Sequence, residues 1–537
     1  MRWKPLIALS AAQFLVVLDT SVMNVSISQL VEDFDTDVTT IQAVITIYTL
    51  VTAAFLITGG KIGDIIGRKR AFAVGLMVYG AGSLLTAIAP TLFVLVLGWS
   101  IIEGLAGALV LPALAALVGG NFSGRERALA YGVIGGVAGA AIAVGPLLGG
   151  WVTTYLSWRL VFAAEVVVVA FILLVLRWID DAPSRGPRRE LDIVGALLSV
   201  VGLALVVLGV LQSGSWGWLV PRDSPITIAG FPLTLFVIGA GLITLALLRA
   251  WLRRREAQGR EPLVRWALFS IAPLRAALST LLAQNLILLG LFFTIPLYLQ
   301  VVQGLDAFQT GLRLLPVSVT MFVTAMSAPL LNRFATPRQV VRVGFGVLVV
   351  STLWLLAAVE PTLNELSFAL AMAVLGIGMG LLAAQLGNVA QSSVGDAERS
   401  EVGGLQYTAQ NLGSSLGTAL IGSILVGVLG AATLAGLTTN PDVSAAVKEK
   451  AGIALQGGIN FVAVDDVRAA LAETSVSAAE ADAIVDSYAE AQLFGLRVAI
   501  LAASAIALLS LFLTRNLPNV RLAGADAEAG DEVGAAR

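Results

Sequence analysis

Apolar residues gather along the chain into blocks of about twenty, the length a helix needs to cross the hydrocarbon core of a bilayer. Charged or turn-forming residues separate one block from the next. Fourteen blocks predict helices over 5–30, 40–61, 71–89, 92–118, 129–152, 158–178, 192–212, 230–251, 274–301, 309–331, 341–359, 366–391, 402–431 and 491–514. The first block follows Met1-Arg2-Trp3-Lys4-Pro5 without a small-residue cleavage site after it, so it reads as an uncleaved span. Alternate loops carry Lys61/Arg68/Lys69/Arg70, Arg125/Arg127, Arg185/Arg188/Arg189, Arg253/Arg254/Arg255/Arg260/Arg265 and Arg333/Arg338. The intervening loops are poor in basic residues, and Glu32-Asp33-Phe34-Asp35-Thr36-Asp37 is acidic. Loops rich in Lys and Arg stay cytoplasmic. An even number of spans then puts both termini inside, in a bacterial inner membrane. Residues 432–490 fall on the outside by this count, and stretches such as Asp465-Asp466-Val467-Arg468-Ala469-Ala470-Leu471 predict short amphipathic helices there. Ala523–Arg537 is small and acidic, which predicts a disordered cytoplasmic tail.

Composition sharpens this picture. The 537 residues are 57% apolar and 13% charged, too few polar side chains to cover a soluble domain. There is no cysteine and no histidine, which removes thiolate chemistry and the commonest general base and metal ligand. Proton handling therefore falls to carboxylates. No metal or cofactor set, no catalytic constellation and no nucleic-acid partner is indicated. The nearest approach to a phosphate-binding loop, Gly59-Gly60-Lys61-Ile62, lacks the spacing and the hydroxyl, so ATP is not the expected energy source. Coupling to an ion gradient, or no coupling, remains.

The sharpest motif is Gly60-Lys61-Ile62-Gly63-Asp64-Ile65-Ile66-Gly67-Arg68-Lys69-Arg70, between spans two and three. Its glycines let the chain turn tightly, while Asp64 can cap a neighbouring helix or pair with Arg68, a charge lock that breaks as two halves rock. This loop resembles the signature of the major facilitator superfamily, from which only Ile62 departs. Gly145-Pro146-Leu147-Leu148-Gly149-Gly150 in span five resembles the motif shared by the family's antiporters. Small residues at four-residue spacing there (Gly132/Gly136, Gly135/Gly139, Gly145/Gly149) permit close helix approach, and Pro146 predicts a bend. Leu18-Asp19-Thr20-Ser21-Val22-Met23-Asn24-Val25 is similar to the first-helix motif of the fourteen-helix drug:proton antiporters. Ser157-Trp158-Arg159, Gly403-Gly404-Leu405-Gln406 and Gly413-Ser414-Ser415-Leu416-Gly417 agree with that branch. One departure stands in span four, where relatives carry Arg-x-x-Gln-Gly and this chain has Ser100-Ile101-Ile102-Glu103-Gly104. In span six Glu165 stands where relatives commonly carry Asn. A coupling scheme that relies on the span-four arginine does not carry over.

A mid-helix carboxylate costs roughly 2.5–3.5 kcal/mol in lipid if charged and unpaired, so Asp19, Glu103 and Glu165 are the candidate proton-coupling residues. At 1.5 Å per residue Asp19 lies about 21 Å along span one from Pro5, and Glu103 about 16 Å along span four from Leu92. The resemblance implies that spans one and four line the central cavity while span six packs outward, which ranks Asp19 and Glu103 above Glu165. Two neighbouring carboxyls in a low-dielectric site do not readily both ionise, which suits a proton acceptor exchanging its proton for a cationic substrate. The second half has no mid-span acid but many amides. Asn24, Asn285, Phe292, Tyr298, Gln385, Asn388, Tyr407 and Gln410 are the candidate substrate-cavity residues.

The resemblance implies an all-α major facilitator fold, with an N-terminal six-helix half (1–178), two inserted helices and their linkers (179–273), a C-terminal half (274–514) and a tail (515–537). The expected function is export of hydrophobic, cationic small molecules in exchange for protons. The alternative is a dedicated exporter of a lipid or a self-made metabolite. The expected partners are the lipid bilayer, protons and a hydrophobic small molecule; the oligomeric state is not read from the sequence.

Overall fold

The computed structural model describes residues 3–36, 38–180, 191–221, 224–327, 330–331, 334–395, 398–445, 447–448, 461–474 and 476–520. The expected tail, Ala523–Arg537, lies outside them, as do the side chains of Asn24 and Pro146. Fourteen long helices appear: α1 (Lys4–Val25), α2 (Val38–Ile66), α3 (Arg68–Ala87), α4 (Leu92–Asn121), α5 (Gly124–Tyr155), α6 (Arg159–Val175), α7 (Ile193–Trp216), α8 (Leu233–Ala257), α9 (Ala272–Leu297), α10 (Ala307–Met326), α11 (Pro337–Ala358), α12 (Glu365–Ser392), α13 (Arg399–Thr439) and α14 (Ala478–Leu513). Thirteen of them carry a stretch apolar and long enough to cross a membrane. The remaining one, α10, spans 20 residues but includes Arg313 and several hydroxyls. It packs between α5 and α12, where Thr310 and Ser318 are buried against protein rather than lipid.

Three boundaries differ from the sequence reading. The first span stops at Val25, because Ser26 turns its hydroxyl back onto the Val22 carbonyl (2.9 Å) and a separate short helix, Ile27–Asp33, follows. The penultimate and last apolar blocks belong to helices of 41 and 36 residues, α13 and α14. At 1.5 Å per residue α13 is about 60 Å long, twice the hydrocarbon thickness, so both helices extend well beyond the membrane at one end. Part of the predicted 432–490 loop is therefore helix. The predicted amphipathic helix is there as Val464–Ala472, and Phe461, Val462, Val464 and Val467 pack onto Leu429, Tyr488 and Ala491 of α13 and α14. Between α7 and α8 a two-residue hairpin, β1 (Thr227–Ile228) with β2 (Phe231–Pro232), is an element the sequence reading did not anticipate.

Two bundles result. Helices α1–α6 pack among themselves, as do α9–α14, and they meet where α5 contacts α10 and α12 and where α13 contacts α2 and α4. The inserted pair sits beside this junction: α7 packs on both α2 and α13, and α8 packs on α7. Glycines set the contact distances. A Cβ on Gly132 would lie 2.3 Å from the Ala325 carbonyl oxygen of α10, and one on Gly413 would lie 2.2 Å from the Leu282 oxygen of α9. Both are closer than any real Cβ tolerates, so only glycine fits there.

Candidate functional site

Asp19, Glu103 and Glu165 arrive from α1, α4 and α6, all three buried, and one oxygen from each lies within 4.8 Å of the others. Local distortion helps to bring them together. Residues Val96–Glu103 of α4 form a π-helical segment, a wider turn that re-aims the side chains it carries. Where α3 meets that segment, a Cβ on Gly82 would sit 2.6 Å from Glu103 Cγ, so glycine makes room for the acid. The Trp99 indole N–H donates to both Asp19 oxygens (2.8 and 3.0 Å), Ser83 Oγ donates to Glu165 Oε2 (3.1 Å) and Thr86 Oγ1 to Glu103 Oε1 (3.4 Å). Glu103 Oε2 and Glu165 Oε1 are buried with no hydrogen bond. Tyr48 stacks on Trp99 at 4.6 Å, and the Tyr48 and Tyr79 hydroxyls sit beside Asp19 without a hydrogen bond of ordinary geometry.

Among the described residues no Lys or Arg forms an ion pair with any of the three acids. Three uncompensated charges at this spacing are not sustainable in a medium of low dielectric. Protons, or a hard cation held by oxygen ligands, are the two ways to balance them. The geometry does not separate Glu165 from the other two: α6 turns it inward onto Ser83, and the three acids form one cluster. The cluster also does not open directly on the space between the halves, since Asp19 and Glu103 are 1% and 0% exposed behind Tyr48 and Trp99.

An apolar roof of Met23, Leu30, Tyr48, Trp99, Trp158 and Phe162 covers the cluster on the side away from the basic loops. Asp33 clasps that roof, accepting from Trp158 Nε1 (2.8 Å) and Arg159 Nη1 (2.6 Å). The Trp158 indole first, then Arg159, hold the Asp33 carboxyl below its ordinary range.

At the basic face the two halves are sealed. Gly60 touches α13, where a Cβ would meet the Ser400 oxygen at 2.8 Å, and Gly63 faces Ala71 and Ser400. Gly67, at φ 97°, makes the turn that only glycine adopts readily and is the N-cap of α3. Arg68 Nε donates to Ser400 Oγ (3.0 Å), which ties the signature loop to the opposite half; Lys69 Nζ reaches the Ile179 carbonyl (2.7 Å), and Arg70 is exposed. Asp64 is buried beside this junction. Helix α13 is buried on every side from Ser400 to Thr408 and only in a stripe beyond, so the seal is confined to its first turns. In the antiporter motif Gly145 and Gly149 lie against Ser21 and Val22 of α1, where a Cβ would come to 2.1 and 3.1 Å; Gly150, one residue on, is half-buried.

The expected cavity residues divide. Asn285, Phe292 and Gln410 are half-exposed, with Asn285 donating to its own helix at Leu281 (2.9 Å). Gln385 is fully buried on α12. Three are placed elsewhere by their contacts. Tyr298 is 1% exposed and donates to the Glu360 carbonyl (2.8 Å), tying α9 to the end of α11. Asn388 accepts from Arg127 Nε (3.1 Å) and Tyr407 donates to Gln13 Oε1 (2.8 Å), so both belong to the seal. The sequence reading missed Trp99, Tyr48, Tyr79, Ser83 and Thr86 around the acids. Aromatic and hydroxyl residues at helical spacing look like ordinary packing until the acids they face are known.

The model of the family described as Major Facilitator Superfamily matches residues 9–418. The puromycin resistance protein pur8 of Streptomyces alboniger is 31% identical over 82% of this chain and 85% of its own. The tetracenomycin C resistance and export protein of Streptomyces glaucescens is 27% identical over 80% of this chain and 77% of its own. Among solved structures, the human organic anion transporter MFSD10 (TETRAN) covers 96% of this chain and 99% of its own, at 13% identity and a TM-score of 0.56, a likeness of fold alone. Helix number, signature loop and family match agree: this chain is a polytopic membrane transporter that belongs to the Major Facilitator Superfamily.

Proposed function

We propose that the protein exports hydrophobic, cationic small molecules from a bacterial cell in exchange for protons, by alternating access between its two halves. The observation that carries this reading is the cluster of Asp19, Glu103 and Glu165, three buried carboxyls with no basic partner among the described residues. Their charge must be balanced by something that comes and goes. On this reading the basic face is the cytoplasmic one, because Lys and Arg are retained there, and a seal at that face closes the transporter to the cytoplasm. A cationic substrate in the cleft feels the charge of the buried cluster across a low-dielectric wall and is disfavoured when protons neutralise it, which couples their movements in opposite directions. The resistance and export roles printed for the Streptomyces relatives support an exporter.

The test is proton flux in proteoliposomes under an imposed pH gradient, with ethidium-like cations and then neutral lipophilic drugs added. Substrate-triggered proton efflux, lost in Asp19→Asn or Glu103→Gln, is expected; folded protein that moves no protons with any drug overturns the multidrug reading. A second reading, a dedicated exporter of a lipid or one self-made metabolite, is favoured by relatives whose names carry single compounds. A narrow substrate range in the same assay would select it.

A further inference from the structure

At the end of α8 on the basic face lies a cleft of about 430 Å³ lined by Trp251, Arg254, Arg255, Gln258 and Arg260. The segment 249–265 holds six arginines against two glutamates. Each nearby acid among the described residues is already committed. Buried Asp192 accepts from Trp251 Nε1 (3.0 Å) and lies 3.6 Å from Arg255 Nε, Glu256 accepts from the Trp266 backbone, and Glu261 lies 3.5 Å from Lys61 of α2. Arg254 and Arg260 stay exposed, and no described acid pairs with them. The helix-end carbonyls that would repel an anion are capped: Arg260 N–H donates to Arg255 and Gln258 N–H to Arg254, as the chain turns back at Gly259 (φ +69°). The floor of the cleft is thus fixed by Asp192, while its mouth carries two unspent guanidinium groups.

We propose that this cleft binds a phosphate-ester anion, and that the occupant is the headgroup of an anionic phospholipid of the bilayer. A guanidinium pair suits phosphate oxygens, and basic pockets beside membrane helices on this face hold such headgroups. Ile243 and Leu247, both more than half exposed, stand at i, i+4 on the same face of α8 as Arg254. An acyl chain can lie along them while its phosphate meets the arginines, which a free phosphate ion cannot exploit.

The site also reaches the seal. Next to Arg260, Glu261 pairs with Lys61 of the first half, and Arg265 pairs with Glu398 (2.9 Å) and Glu401 of the second. The stretch from Arg260 to Arg265 therefore straps the two halves together, and a lipid that fixes Arg260 holds the strap in place. This last step rests on the reading of the basic face as a gate; the binding site does not.

The test uses the full-length protein in phosphatidylcholine nanodiscs with and without phosphatidylglycerol, comparing wild type with Arg254→Gln/Arg260→Gln and with Arg254→Lys/Arg260→Lys. Native mass spectrometry is expected to show one retained phosphatidylglycerol in wild type, weakened about ten-fold in the Gln pair and kept in the Lys pair. Equal retention by the Gln pair, or of phosphatidylcholine by wild type, overturns the site. Displacement of the lipid by millimolar inorganic phosphate, with equal occupancy by that ion alone, overturns the lipid as occupant. Spin labels at Ser123→Cys and Ser393→Cys, in a chain without native cysteine, report the gate. Phosphatidylglycerol is expected to enrich the short distance in wild type only, and no enrichment removes the coupling. None of these readouts requires drug or proton transport, so a failure of the antiport reading leaves the site standing.

Discussion

In the first six helices three carboxyls share one buried site with no basic partner among the described residues, whereas in the last six the buried carboxyl Glu401 lies beside Arg265 and the other buried polar side chains are neutral amides and hydroxyls. Thr294 donates to Gly290 on its own helix and Thr320 to Ala373 on α12, contacts that close without help from outside the fold. The carboxyls cannot close in that way. Glu103 and Glu165 each keep an oxygen without a hydrogen bond, and no Lys or Arg among the described residues pairs with the cluster. One half therefore needs an exchangeable ligand to be electrically balanced, and the other is balanced as built. That difference supports the proposal that coupling resides in the first half and that the second serves as its partner wall.

The largest effect should come from breaking the asymmetry directly. Asp19→Asn is expected to lower substrate-driven proton movement about a hundred-fold, the range of a lost proton-transfer group. Gln284→Leu, a buried amide of α9, should leave the proton-to-substrate ratio unchanged. Equal loss of coupling in both variants, measured in the same vesicles, would end the comparison.

Next in size is a contrast between glycines within and between halves. Gly413→Ala places a Cβ 2.2 Å from the Leu282 oxygen inside the second half, and overpacking of this kind costs about 1–3 kcal/mol. It should lower the unfolding temperature in detergent. Gly60→Ala meets Ser400 across the seal and should act on the closed state alone, seen as faster alkylation of a cysteine at Thr408 with little change in melting. A smaller shift in the same alkylation rate is expected of Tyr407→Phe, which gives up the bond to Gln13 and about 0.5–1.5 kcal/mol of the closed state.

The smallest effect tests the roof over the acids. Asp33 titrates below its ordinary range because Trp158 and Arg159 favour its charged form. A depressed carboxyl adds stability that is fully present above its unfolded value, about 3.9, and is lost as pH falls through the folded value. The melting temperature of wild type should therefore drop more steeply than that of Asp33→Asn only below about pH 4, by the roughly 0.2–1 kcal/mol of an exposed pair. Curves that run parallel down to pH 3 would show that the clasp contributes nothing.

Much of this molecule was legible from its sequence. The apolar blocks located the fourteen helices, and the spacing of Gly60, Gly63, Asp64, Gly67 and Arg68 marked the loop that the structure puts at the seal. The mid-helix acids were visible because lipid makes each one conspicuous. The place of Glu165 in the cluster was not legible, because the family's helix order says where α6 packs but not which way one residue on it faces. Tyr298, Asn388 and Tyr407 were assigned to the cavity by residue type, and type does not distinguish a wall from a seal.

Helix number and the segregation of basic loops were determined by the sequence alone, since bilayer thickness and the need to satisfy every backbone group act on each segment separately, whereas the extension of α13 and α14 beyond the membrane was not. The tertiary structure decided which polar groups meet. Arg68 and Ser400 stand 332 residues apart, and the three acids come from three different helices. Their contacts depend on rotation about each helix axis and on glycine-permitted distances between helices, which are set by the packing of the whole bundle and by no single segment.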